Sequence, residues 1–300
     1  MDVKRPPARP DTIRVMNRLK AILLVLAAAT SVQGGASVAK SLFPSFGPPG
    51  VVWLRLLFGS IALWAIARPE LRHRPWRELR LVVALGVVLV SMNVSFYESI
   101  DRLPLGVAVT VEFLGPLAVA ILGSRRKLDL VWVALAGLGV ALLAEGGGRG
   151  VHPFGLVLAA LAGLFWALYI TLSVPIGRAY PGASGLAPAM VIGALLITPW
   201  GIVSAGSHLR DPQLVGAAVG VGLLSSALPW SLELEALRRL PTNVFGVVLA
   251  LEPAVAALAG FFFLHEHLHL RAWIAIALVV LASAGAALEI RREDAAPPEA

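Results

Sequence analysis

The chain contains no cysteine. This excludes disulfides, thiolate metal sites and thiol catalysis. Charge is also scarce. Only 14% of its 300 residues are Asp, Glu, Lys or Arg, against 58% hydrophobic. There are no polar runs long enough to build a large extramembrane domain, and mean hydropathy is +0.81. A soluble domain of this size has too little interior for so much apolar surface. The net charge of +7 would suggest nucleic acid in a soluble protein. Here the basic residues sit in tails and short loops between apolar runs, which is a membrane topology signal. No nucleic-acid partner is expected; the lipid bilayer is.

What is present centres on one stretch, PLGVAVTVEFLGPLAVAILG, from Pro104 to Gly123. Twenty residues at ~1.5 Å each span a hydrocarbon core. It nevertheless carries Glu112 near its middle and Pro116 one turn later. A carboxylate in hydrocarbon costs several kcal/mol, so it faces protein or an aqueous cavity. The pattern returns 137 residues later, from Pro241 to Gly260, with seven of twenty positions identical, Pro116/Pro253 among them. The match runs back through Arg102/Arg239 to Glu98/Glu235. The chain reads as a duplication.

Hydropathy predicts ten spans: 21–43, 50–67, 79–98, 104–123, 128–145, 153–176, 184–205, 213–234, 241–263 and 271–290. The expected units are a basic cytoplasmic tail (1–20), a first five-helix repeat (21–145), a glycine-rich linker (146–152), a second five-helix repeat (153–290) and a cytoplasmic tail (291–300). Residues 21–43 imitate a signal peptide, but cleavage would strip the first repeat of a helix and is not expected. With a cytoplasmic N-terminus, nineteen Lys/Arg fall on the inner side and four on the outer. That places both termini inside. Five spans per repeat is odd, so the second repeat enters from the opposite face. The predicted fold class is an all-α integral membrane protein, ten transmembrane helices forming two inverted five-helix repeats. Such repeats are common in secondary transporters with a midplane site between them.

Candidate pathway residues follow from the cost of intramembrane polarity. Glu112 lies ~12 Å from the outer end of its span and Glu252 ~16 Å from the inner end of its own, both near the midplane. A carboxyl there can take up a proton on one side and release it on the other, or hold an ammonium. The bland alternative is a structural acid paired with a neighbour. Arg55, five residues into span 2, keeps its charge and needs a partner. With Glu112 it forms a minimal set for an amino-acid zwitterion, unless the two simply pair. Lys40 either joins the pathway or snorkels to the headgroups. Gln33, Asn93, Tyr97, Trp166, Tyr169 and Trp230 are the polar and aromatic candidates for lining a path. Pro116 and Pro253 are candidate hinges. Pro229 breaks backbone pairing beside Trp230, tolerable only where protein or water satisfies it. Gly34-Gly35 and Gly216-x-x-x-Gly220 read as close helix-packing positions.

The stretches SVQGGASVAKSLFP (31–44), GPPGVVWLRL (47–56), PLGVAVTVEFLGPLAVA (104–120) and ALPWSLELEALRRLPTNVFG (227–246) carry a resemblance. They are similar to the threonine/homoserine exporters of the EamA family, in the drug/metabolite transporter superfamily. The likeness covers residues 20 to 290. It implies a ten-span bacterial inner-membrane exporter of small amino acids, driven by an ion gradient, protons first, with no cofactor and no enzymatic activity. A broader metabolite or drug exporter of the same superfamily is the alternative, and a homodimer is left open. Two departures stand out. Leu264-His265-Glu266 has histidine where related sequences usually have glycine, and Glu98 is an unexpected acid that can alter substrate choice.

Two motifs need a bland reading. His265-Glu266-His267-Leu268-His269 matches H-E-x-x-H, the zinc-protease pattern, which requires both outer histidines one turn apart on a helix. It falls in a short loop, so an intramembrane metalloprotease is the low alternative and no metal site is expected. Gly146-Gly147-Gly148 and Gly150 lack the strand, helix and Lys-Ser/Thr of a phosphate loop, which leaves no sign of ATP coupling.

Overall fold

The computed structural model describes residues 11–70, 74–122, 129–145, 152–240 and 242–294. All but the last residue of the expected linker (146–152), the basic loop Arg125-Arg126-Lys127 and the outermost parts of both tails lie outside these residues. Among them every regular element is helical: α1 (Asp11–Ser41), α2 (Phe43–Ala67), α3 (Trp76–Ile100), α4 (Leu105–Glu112), α5 (Leu114–Leu122), α6 (Asp129–Glu145), α7 (Pro153–Ala179), α8 (Leu186–Ala205), α9 (Pro212–Gly222), α10 (Leu228–Leu237), α11 (Thr242–Leu249), α12 (Glu252–Leu264) and α13 (Leu270–Asp294). A 3₁₀ turn (Gly206–Arg210) precedes α9, and a π turn (Leu223–Ala227) joins α9 to α10. Among the described residues, eight stretches are long and apolar enough to cross a bilayer. The segments expected at 128–145 and 271–290 are apolar helices too, but their qualifying runs, Leu130–Leu143 and Leu270–Ala286, are shorter. Large apolar side chains such as Leu122, Val203 and Phe262 are 85%, 80% and 66% exposed, which suits a lipid-facing surface.

Proline and glycine decide where the rods bend. α2 begins seven residues before its expected start, because Pro44 sits in its first turn, where a missing N–H costs nothing. It then kinks at Gly47 (φ 64°, ψ 162°). Gly47 precedes Pro48, which forbids the helical ψ, and glycine alone takes the positive φ cheaply. The Ser204 hydroxyl donates to the Phe46 carbonyl at this kink (2.7 Å). α1 starts at Asp11, ten residues before the expected span. Hydropathy marks the edge of an apolar run, whereas a helix continues until a breaker.

The duplicated stretches are both broken, at matching places. The first interrupts at Phe113, between α4 and α5; the second at Ala250-Leu251, between α11 and α12. Pro116 has no N–H for the Glu112 carbonyl, and Pro253 none for that of Leu249. The ends match as well. Arg102 pairs with Glu98 (2.6 Å) at the end of α3. Arg239 pairs with Glu235 at the end of α10, holding that carboxyl below the usual carboxylate range.

The two parts of the chain interleave instead of forming separate bundles. α2 lies along α8, α3 along α7 and α8, α6 along α13, and α4 along α12. α1 runs beside α10 and α12, while α7 runs beside α3, α4 and α5. At the tightest crossing α5 meets α7 backbone to backbone: a Cβ on Gly115 would lie 2.0 Å from the Gly163 carbonyl oxygen. By contrast, Gly34, Gly216 and Gly220, expected to permit close packing, have no neighbouring atom within 4 Å of a built Cβ. Only Gly35 of that set packs closely, against Ser225.

Candidate functional site

A cavity of about 390 Å³ lies at the middle of the bundle. This is within the ~300–1,000 Å³ range of small-molecule sites. Of the residues singled out from the sequence, it is lined by Gln33 (α1), Arg55 (α2), Asn93 (α3), Glu112 (α4), Pro116 (α5), Trp166 and Tyr169 (α7), Trp230 (α10) and Glu252 (α12). Segments from both duplicated stretches therefore converge on it. Glu112 and Glu252 sit at the two helix breaks and are each 8% exposed.

Arg55 is held by a local consequence of Pro229. Proline at 229 leaves the Ser225 carbonyl without its helical donor, and the chain widens into the π turn there. Arg55 Nη2 donates to that carbonyl (3.1 Å), and Nη1 donates to the Tyr97 hydroxyl (3.0 Å). The guanidinium also lies 5.4 Å from the Tyr97 ring centroid. Ser31 Oγ donates to the adjacent Leu224 carbonyl (2.7 Å), tying α1 to the same turn. Arg55 is thus positioned without an ion pair to Glu112, although the two are within electrostatic reach. Its Nε is buried with no hydrogen-bond partner among the described residues, as are Gln33 Oε1 and Ser225 Oγ.

Gln33 Nε2 donates to Glu252 Oε1 (2.9 Å). Glu112 and Glu252 are within electrostatic reach of one another, and Glu252 of Glu233. Trp166 forms one wall, edge-on to Phe113 with ring centroids 4.9 Å apart. Asn93 Nδ2 turns back to the Leu89 carbonyl of its own helix (2.8 Å).

Three of the polar residues singled out, Tyr97, Lys40 and Glu98, lie outside the cavity lining. Tyr97 supports Arg55 from behind and is not among the lining residues. Pro253, expected only as a hinge, lies in the first turn of α12, directly after the break at Ala250-Leu251. Lys40 neither snorkels nor reaches the cavity: it binds Glu266 Oε1 (2.7 Å) and the Leu103 carbonyl (2.8 Å). Glu98 is engaged by Arg102 and is not among the lining residues. The H-E-x-x-H match is not helical: 265–269 is an irregular loop between α12 and α13. Glu266 is engaged with Lys40, and no cluster of three metal-ligating side chains exists among the described residues. A zinc-protease site does not fit this geometry.

Sequence reasoning missed Glu233, Ser225 and Ser226, which also line the cavity. Glu233 lies one residue from the end of the span expected at 213–234 and is absent from the pathway acids expected from the sequence. The signal was present: it follows Trp230 by three residues, on the same helix face.

A bundle of apolar helices around a charged, partly polar internal cavity fits a multi-pass membrane protein. The chain belongs to the EamA-like transporter family, whose sequence model matches twice, at residues 19–144 and 153–288. Within the family it groups with proteins named threonine/homoserine exporters. It is 44% identical to the threonine/homoserine exporter RhtA of Escherichia coli, over 95% of this chain and 97% of that one. With the exporter of the same name from Salmonella typhimurium the identity is 43% over the same shares. An uncharacterised transporter of Bacillus subtilis, YwfM, is 25% identical over 86% of this chain and 90% of its own. A solved crystal structure matches with a TM-score of 0.61 at 21% identity, over 95% of this chain and 99% of that one, and shares the fold.

Proposed function

We propose that this protein exports small amino acids, threonine or homoserine first, across the bacterial inner membrane by proton-coupled alternating access. The observation that carries the reading is the pairing, in one internal cavity, of a fixed guanidinium with several carboxylates. An amino acid needs a cation for its carboxylate and an anion for its ammonium. Arg55, with a free Nε, supplies the first, and Glu112 supplies the second. The resemblance to threonine/homoserine exporters supports the substrate class.

The charge balance supports proton coupling. Three carboxylates, Glu112, Glu233 and Glu252, line the cavity beside one guanidinium. Uncompensated charge in such surroundings costs several kcal/mol per group. Protons compensate the empty cavity and leave as the substrate ammonium arrives, which is the exchange an antiporter performs.

Alternating access rests on ten spans arranged as two inverted repeats, 21–145 and 153–290, both termini cytoplasmic. The double family match supports two repeats. So does the packing: α1 beside α10 is mirrored by α3 beside α7, and α1 beside α12 by α7 beside α4 and α5. Exchanging the two parts leaves this neighbour pattern unchanged. Pro116 and Pro253, at the two breaks, are the hinges about which the repeats rock.

The test is efflux of labelled threonine and homoserine from proteoliposomes, with and without an imposed pH gradient, for the parent and Glu112→Gln. Gradient-dependent efflux lost in the variant is expected. Efflux indifferent to collapse of the gradient sinks proton coupling. No efflux of either amino acid, with competition by apolar amines instead, returns the protein to the broader metabolite-exporter class.

A further inference from the structure

Lys40, His265 and Glu266 gain no role from the cavity, yet Glu266 is the most heavily engaged side chain at one end of the bundle. Its Oε1 accepts from Lys40 Nζ (2.7 Å), at the last turn of α1. Its Oε2 accepts from the Leu105 backbone N–H (2.8 Å), the first residue of α4. Its own N–H donates to the Gly260 carbonyl (3.0 Å), in the last turn of α12. Lys40 Nζ completes the ring by donating to the Leu103 carbonyl (2.8 Å), in the turn before α4. His265, in the left-handed region (φ 55°), reverses the chain so that Glu266 points back over α12. A Cβ on Gly260 would lie 2.4 Å from Glu266 Oε2, so a side chain there would have to displace the carboxylate.

One carboxylate therefore ties together the ends of α1, α4 and α12. These are the helices that carry Gln33, Glu112 and Glu252 into the cavity. The cavity plane lies about 10 Å below, since Gln33 precedes Lys40 by seven residues and Glu112 follows Leu105 by seven. Between the two levels α4 crosses α12 so closely that a Cβ on Gly106 would lie 2.7 Å from Ala257 Cα. None of the tied residues lines the cavity. The lining instead continues toward the opposite end, through Leu63 near the end of α2, Leu186 at the start of α8, and Glu233 near the end of α10.

We infer that Lys40 and Glu266 are the gating pair of the transport pathway: closed, as here, they seal the end of the cavity nearest them while the other end is accessible. Opening that end requires α1, α4 and α12 to part, and the Lys40–Glu266 contact must break for them to do so. The pair is partly buried, with side chains 22% and 14% exposed, so solvent does little to weaken it. The inference rests on the reading of the cavity as a transport site, but its test uses no substrate.

The absence of native cysteine gives a clean background for labelling. Ser37 is 2% exposed and lies one turn from Gln33 toward Lys40, between cavity and seal. A Ser37→Cys reporter is exposed in sealed vesicles to a membrane-impermeant maleimide on the Lys40 side. It is combined with Glu266→Gln, which keeps the size and loses the charge, or with Lys40→Met. Labelling at least tenfold faster than in the reporter alone is expected for both. The inference is overturned if either variant stays within about twofold of the reporter alone. Should a neutral variant fail to elute as a monodisperse species, Glu266→Asp, with the same charge on a shorter arm, is read by the same two criteria. A negative result leaves the substrate reading standing, and failed efflux leaves the labelling result interpretable.

Discussion

An alanine at Gly115 would place its Cβ 2.0 Å from the Gly163 carbonyl oxygen and 2.7 Å from the carbonyl carbon. Ordinary van der Waals contact begins near 3.4 Å, so α5 and α7 must separate by 3.4 minus 2.0, about 1.4 Å. Neither side of the contact is a flexible side chain. The same seam holds the Glu112 carbonyl, which a Cβ on Gly163 would approach to 2.6 Å. Overpacking of this kind costs roughly 1–3 kcal/mol. The larger consequence is positional, because α5 leads directly from the Glu112 break and α7 carries Trp166 and Tyr169. Misplacing site groups by about 1 Å costs on the order of 100-fold in rate. Threonine efflux from proteoliposomes should therefore fall by that order in Gly115→Ala, with a lowered melting temperature in detergent. Gly216→Ala is the matched control. Nothing lies within 4 Å of its built Cβ, so efflux should stay at the parental rate and stability should rise by about 0.4–1 kcal/mol. Parental efflux and melting in Gly115→Ala would refute the claim that this crossing sets the site.

Arg55→Lys keeps one charge but not the fork that spans Tyr97 and Ser225. The half-saturating threonine concentration should rise about tenfold or more, measured by concentration-dependent efflux, and an unchanged value would remove Arg55 from substrate recognition. Tyr180 is 1% exposed, its hydroxyl is buried without a partner among the described residues, and burial pushes the phenol up. Tyr180→Phe should therefore be neutral, or stabilising by up to about 1 kcal/mol, with the Arg74 guanidinium still 4.7 Å from the ring centroid. A lowered melting temperature would mean the hydroxyl has a partner. Glu233→Gln removes one of three cavity carboxylates and should alter the pH-gradient dependence of efflux, whereas Glu98→Gln, at a half-buried pair with Arg102 outside the lining, should leave it unchanged.

The sequence by itself determined the class of molecule, since so apolar a chain has no soluble solution. It marked Pro116 and Pro253 as places where the ladder loses a bond; that the helices break there, while α7 and α8 run on through Pro175 and Pro199, was decided by the packing. Glu112, Glu252 and Arg55 were legible because charge inside an apolar span is expensive and must converge on something. Partners were not legible. In a helix that is apolar on every side, no polar face marks the interior, so periodicity cannot say which residues meet. Lys40 looked like a pathway or headgroup residue until the turn at His265 brought Glu266 to it across 226 positions of chain. Gly216 and Gly220 fitted a packing motif but face open space, while Gly115 and Gly163, from different helices, form the closest seam. Pro229 announced a weakened turn; only the packing of α2 against it showed that Arg55 takes the freed carbonyl. Local covalent constraints are written residue by residue. Which distant groups satisfy one another is decided by how the helices pack.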